Sequence, residues 1–190
     1  RPDDGEGDLM TLEEKALKIK LVVLDVDGVL TDGQIITSSQ GELCKHFNVK
    51  DGLGMKMLLA AGIDVVVITG RRSAIVGARL RELGVRDVLQ GQTYKKRAFL
   101  DLIEARHIDA SECACMGDDV PDLAVLRLCG LACAPSDAVD AVLKEADFVS
   151  RKKGGEGAVR EMAELILGAQ GKWDSLVDQF YFNPEPSRFR

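Results

Sequence analysis

The sequence predicts a three-layer α/β fold: a parallel sheet with helices on both faces, plus one small β-hairpin. Three observations predict it. Short apolar runs alternate with helical stretches, the pattern of strands joined by helical crossovers. The runs Leu21–Leu24, Val65–Ile68 and Cys113–Met116 are apolar throughout, as expected of parallel strands covered on both faces. Each leads into acids, glycine or a hydroxyl, at the end where open α/β sheets bind ligands.

The elements follow in order. Residues 1–18 read as an acidic arm, opening Arg1-Pro2-Asp3-Asp4-Gly5-Glu6-Gly7-Asp8. It lacks the basic-then-apolar order of a secretory signal. A globular domain is expected over 19–170. Its first strand, 20–25, runs into Asp25-Val26-Asp27-Gly28. Residues i and i+2 of an extended chain share a side, so Asp25 and Asp27 can face one ligand. Gly28 permits a sharp turn. Two adjacent carboxylates repel, which makes a divalent cation their natural counterweight. The local alternative is a solvated pair in an Asp-Gly turn.

Residues 34–48 read as a β-hairpin turning at Ser38-Ser39-Gln40-Gly41. A helix is expected at 52–61 and a buried strand at 64–68. That strand ends in Thr69-Gly70-Arg71, a hydroxyl, a free backbone amide and a guanidinium that suit a phosphoryl group. Ser73 is an equally good cap for the helix expected at 73–83, which frees Thr69. Lys95 opens a helix at 95–106. A lysine in a first turn opposes the helix dipole, and that misfit points to a role beside an anion. Lys96 reads as solvated. A strand at 113–117 leads to Asp118, placed to complete an all-oxygen magnesium site with Asp25. Asp119 or Asp122 caps the helix that Pro121 helps to start within 120–127. Strands at 130–133 and 147–149 and helices at 137–144 and 157–168 complete a Rossmann-like sheet. The tail, 171–190, carries Trp173, Phe180, Tyr181, Phe182 and Phe189. That aromatic density is unusual for a disordered end and fits docking onto a partner subunit, with disorder of part of the tail as the alternative.

Composition fits a soluble enzyme. The 190 residues are 46% hydrophobic with a net charge of −6, which argues against nucleic acid as partner. Lys50, Lys56, Arg71, Arg79 and Lys95 can still gather around an anionic substrate. No apolar stretch reaches transmembrane length. The five cysteines form no C-x-x-C pair and read as free thiols in a reducing cytoplasm.

Asp25-Val26-Asp27-Gly28-Val29-Leu30, Thr69, Lys95 and Gly117-Asp118-Asp119 resemble, in chain order, the four motifs of the haloacid dehalogenase superfamily. Phe47-Asn48-Val49-Lys50-Asp51-Gly52, Ile68-Thr69-Gly70-Arg71, Gly91-Gln92 and Gly157-Ala158-Val159-Arg160-Glu161 narrow the resemblance to the 3-deoxy-D-manno-octulosonate 8-phosphate phosphatases. It implies that Asp25 is the nucleophile, that Asp27 is the acid and base, and that Thr69 and Lys95 stabilise the phosphoryl group. Magnesium, with cobalt or manganese as substitutes, is then held by Asp25, the Asp27 carbonyl and Asp118. Asp27, Asn48, Val49, Lys50, Asp51, Gly52, Lys56, Arg71, Arg79 and Lys95 would bind substrate. The resembled enzymes often have Arg where Lys56 stands. No segment is long enough for a separate cap domain, so the resemblance implies a homotetramer packed through the hairpins, with sites shared between subunits.

Three rival readings remain. One is a phosphatase for 2-keto-3-deoxynononate 9-phosphate. Another is a signalling receiver domain, whose phosphorylated Asp ends a middle strand; here that strand ends Ile68-Thr69-Gly70. The third is a catalytically silent oligomerisation module, against which the intact acid pair and Lys95 speak.

Overall fold

The computed structural model describes residues 10–183. The chain begins with α1 (Leu12–Leu17), β1 (Leu21–Leu24), the hairpin strands β2 (Ile36–Ser38) and β3 (Gly41–Cys44), and α2 (Val49–Ala60). It continues through β4 (Asp64–Thr69), α3 (Ala74–Glu82), β5 (Asp87–Gln90), α4 (Lys95–Arg106) and β6 (Cys113–Met116). Then come α5 (Leu123–Leu126), β7 (Leu131–Ala134), α6 (Asp140–Leu143), β8 (Phe148–Val149), α7 (Ala158–Ala169) and α8 (Trp173–Val177).

Six parallel strands form one sheet in the order β5-β4-β1-β6-β7-β8. The period-two rule sorts their side chains. Val22, Leu24, Val65, Val67, Ala114 and Met116 face one core with α1, α2, α3, α7 and α8. Leu21, Val23, Val66, Ile68, Cys113 and Cys115 face the other, with α4, α5 and α6. This double covering is why the central strands read as unbroken apolar runs. From β1 the chain winds outward to β5, then returns to β6 on the other side. The carboxyl ends of β1 and β6 therefore flank the point where winding reverses, the crevice such folds offer to ligands.

Several expectations need correcting. The strand β5 was not anticipated. It is an edge strand whose apolar residues are Val88 and Leu89 alone, between Asp87 and Gln90. The helix α2 starts earlier than residue 52, because the Asn48 side chain accepts from Lys50 N at 2.8 Å and caps it. The stretch 120–127 divides into a 3₁₀ turn over Val120–Asp122 and α5. The helix expected at 137–144 is α6, which opens only at Asp140. Within the expected arm, Thr11 and Glu14 form a capping box that starts α1. Gln170 ties α1 down by donating to Ala16 O at 3.3 Å and Ile19 O at 2.8 Å. The acidic opening stretch, residues 1–8, lies outside the described residues.

The hairpin is a two-stranded sheet of its own, bridged at its base between Thr31 and Phe47. Ile35 and Leu43 stand exposed on it. The tail begins by packing on its own chain. Trp173, Leu176, Val177 and Phe180 join the first core, and the Arg160 guanidinium sits 4.9 Å above the Trp173 ring. Tyr181 and Phe182 are exposed, and Phe189 lies outside the described residues. Among the described residues, no helix is long and apolar enough to cross a membrane.

Candidate active site

Asp25 extends the β1–β6 ladder, donating its N–H to Met116 O at 3.2 Å. The chain then turns so tightly that Val29, Leu30 and Thr31 all donate to Val26 O, at 3.2, 2.9 and 3.1 Å. Gly28, with φ 87°, makes that turn possible. A Cβ there would stand 2.0 Å from Asp118 Oδ2, so glycine also lets the two acidic loops meet. Gly28→Ala is therefore expected to displace Asp118 and abolish both metal binding and turnover. Metal titration and a kinetic assay of that variant check it, and unchanged affinity would contradict it.

Lys95 is buried at the first position of α4. Its ammonium lies 2.8 Å from Asp25 Oδ1 and 2.7 Å from Asp122 Oδ1. The other oxygen of Asp122 accepts the N–H of Asp118 at 3.1 Å and of Asp119 at 3.3 Å. Asp122 thus braces both Lys95 and the loop that carries Asp118. Asp119 caps the following 3₁₀ turn, accepting from Val120 N at 2.7 Å. The Lys95 pKa is raised: burial works to lower it, but Asp25 and Asp122 outweigh burial.

Carboxylate oxygens of Asp25, Asp118 and Asp122 lie within 4.8 Å of one another. Burial and the neighbouring acids push Asp118 up to about 7. Burial, opposed by Lys95, raises Asp25 to about 6. Asp25 Oδ1 is buried without an aligned hydrogen bond, facing the Lys95 ammonium. Three carboxylates crowded around a single ammonium leave an excess of negative charge that fits a hard divalent cation. Protons compete with that cation. Affinity should fall on the order of tenfold between pH 8 and pH 6, with protons released on binding. The sign for stability is the reverse. Both pKa values stand above those of an unfolded chain, so the metal-free protein loses stability as pH rises through about 4 to 7. Calorimetric metal titrations at the two pH values check the affinity, and equal affinity would contradict it.

Asp25, Asp27, Thr69, Arg71, Lys95 and Asp118 line one open cleft of about 350 Å³. Asp27 ion-pairs through Oδ1 with Lys45, and its Oδ2 lies 3.6 Å from Arg71 Nε. Sequence reasoning missed Lys45, which carries no motif and meets Asp27 across 18 positions. It also left the role of Asp122 open.

The remaining expected substrate residues do not line this cleft. Asn48 caps α2. Val49, Lys50 and Lys56 are exposed. Asp51 is buried and accepts from Gly157 N at 3.2 Å and Arg160 N at 2.9 Å, which holds the start of α7. Burial raises its carboxyl to about 6, with those N–H groups pulling the other way. A Cβ on Gly52 would come within 2.8 Å of the Arg79 guanidinium, which pairs with Glu82 at 2.9 Å.

Residues 80–162 match the family of haloacid dehalogenase-like hydrolases. The 3-deoxy-D-manno-octulosonate 8-phosphate phosphatase KdsC of Escherichia coli K12 is 45% identical over 165 residues, 87% of this chain and 88% of that protein. The phosphatase of that name from Moraxella catarrhalis, solved with magnesium, phosphate and KDO, is 43% identical with TM-score 0.86, over 89% of this chain and 97% of that one. A cobalt-bound Haemophilus influenzae phosphatase is 44% identical with TM-score 0.81, over 83% and 92%.

A parallel sheet bearing an acid-x-acid turn, a buried lysine and a second acidic loop defines a haloacid dehalogenase-type phosphohydrolase. Within that superfamily, the chain belongs to the 3-deoxy-D-manno-octulosonate 8-phosphate phosphatase family. It is a phosphoric monoester hydrolase of a family that uses divalent metals.

Proposed function

We propose that this enzyme hydrolyses 3-deoxy-D-manno-octulosonate 8-phosphate to KDO and inorganic phosphate, a step toward lipopolysaccharide. The observation that carries this reading is Asp25, a carboxylate on the cleft floor whose buried oxygen faces Lys95. Its oxygen attacks phosphorus in line as the bond to the sugar oxygen breaks. Protonated Asp27 gives its proton to that leaving oxygen. Asp27, now ionised, takes a proton from the water that attacks the aspartyl-phosphate. The Asp25–phosphorus link breaks, and phosphate leaves. Thr69, the Gly28 amide and Lys95 stabilise the equatorial oxygens. Mg²⁺, held by Asp25, Asp118 and the Asp27 carbonyl with Co²⁺ or Mn²⁺ as substitutes, would neutralise nucleophile and phosphate.

Arg71 holds the sugar from within this chain. Val49, Lys50, Lys56 and Arg79 lie outside its own cleft, so they serve a neighbour's site; Asn48, Asp51 and Gly52 are instead taken up in capping α2, holding the start of α7 and seating Arg79. A homotetramer built around the 34–48 hairpins provides that neighbour. Exposed Ile35 and Leu43 give the hairpin an apolar surface to bury there. The unpaired thiols fit the cytoplasm.

Phosphate release from the eight- and nine-carbon keto-sugar phosphates, with magnesium, tests the reading. The eight-carbon ester should be preferred at least about tenfold in kcat/KM. Preference for the nine-carbon ester, or turnover of neither, would contradict it.

A further inference from the structure

Lys45 is buried, its side chain 1% exposed. It sits just beyond β3, at the base of the hairpin. The ammonium ion-pairs with Asp27 Oδ1 and lies 3.2 Å from Glu42 Oε1. Glu42 is anchored through its other oxygen, which accepts from the Ser73 hydroxyl. Ser73 in turn caps α3, accepting from Val76 N at 3.2 Å, and Gln90 Oε1 accepts from its N–H at 2.6 Å. A chain of polar contacts thus runs from the start of α3, through the hairpin, to one oxygen of Asp27.

Burying an ammonium is costly unless it is paired, and two carboxylates pair this one. The geometry has a chemical consequence. Oδ1 of Asp27 is committed to Lys45. Oδ2 lies 3.6 Å from Arg71 Nε, and Asp27 and Arg71 both line the cleft. A proton carried by Asp27 therefore belongs on Oδ2. We infer that Lys45 is a positioning residue that clamps Oδ1 of Asp27 so that Oδ2 delivers the proton to the leaving sugar oxygen, and that Glu42 and Ser73 hold the clamp in place. The hairpin is then part of the acid–base apparatus as well as an assembly surface.

The inference rests on the phosphatase reading above, and the test separates the two. The step at issue is proton delivery as the phosphorus–oxygen bond of the ester breaks. An alkyl sugar phosphate needs that proton. p-Nitrophenyl phosphate does not, because nitrophenolate leaves as an anion. kcat/KM reports formation of the phosphoenzyme for both esters. Lys45→Met in the full-length, magnesium-loaded enzyme should lower kcat/KM for the sugar phosphate about a hundredfold, the scale of a positioned acid, and for the aryl ester by less than about threefold. In an Asp27→Asn background the same substitution should add almost nothing, because Lys45 acts through Asp27. Glu42→Gln keeps the buried lysine and covers the case in which Lys45→Met does not fold. It should give a selective loss of about tenfold. Lys45→Arg should restore much of the selectivity. Equal losses on both esters, or no loss on either, would overturn the clamp while leaving the phosphatase reading intact. If the unaltered enzyme hydrolyses neither ester, both readings fall.

Discussion

Asp25→Asn is expected to lower turnover by at least about a thousandfold, the scale set by nucleophiles that act as a unit with their partners. Asn matches the shape of Asp25 but lacks the negative charge that the proposed mechanism uses for attack on phosphorus and for holding the metal. The loss should not come from unfolding. Burial already disfavours charge at Asp25, raising its pKa to about 6, so the neutral amide relieves a penalty at pH 8. Lys95 keeps Asp122 as an anionic partner, 2.7 Å away. Thermal melting of the metal-free variant at pH 8 should match or exceed that of the unaltered protein. Kinetics and melting together decide the matter. Near-normal turnover, or a collapse in stability alongside lost activity, would contradict the assignment.

Removal of the metal is expected to abolish activity, and added Mg²⁺ should restore it. Without a cation, Asp25, Asp118 and Asp122 crowd together with Lys95 as their counter-charge. An incoming phosphate dianion would raise the negative charge further. Mn²⁺ and Co²⁺ should substitute, since they accept the same oxygen donors. Ca²⁺ should bind and inhibit, because its larger, looser coordination misplaces the attacking oxygen. Phosphate release after exhaustive EDTA treatment, then after adding each ion, measures all of this. Full activity in EDTA would contradict it.

The central fold was legible because its determinants are local. Strands β1, β4 and β6 announce themselves as apolar runs, and each delivers site residues at its carboxyl end. Lys95 was legible as a helix-start misfit, which its two carboxylate partners explain. Three features were hidden for different reasons. The edge strand β5 has little apolar surface to bury, so it leaves no run to read. The helix α1 did have a signal, Thr11 followed three residues later by Glu14, but an acidic neighbourhood masked it. Lys45 had none. Its partner is fixed by how the hairpin folds back on the β1 turn, a tertiary fact with no sequence period.

The tail shows the same limit. Its aromatics read as a docking segment for a neighbour, and the structure adds that Trp173 and Phe180, partly buried, pack against this chain's own core. Cutting after Lys172 would remove the buried Leu176 and the Arg160–Trp173 stack, and so test folding rather than the site. A cut after Asn183 retains Trp173, Leu176 and Phe180 and is the better probe of a shared site.

The most direct measurement concerns the covalent intermediate. The full-length enzyme, turning over the eight-carbon sugar phosphate with magnesium, is quenched in acid and reduced with borohydride. An aspartyl-phosphate is thereby converted to homoserine, and peptide mass spectrometry locates it. The account predicts homoserine at position 25 and none in the Asp25→Asn variant. Homoserine at Asp27, Asp118 or Asp122, or phosphate attached to any other residue during turnover, would contradict it.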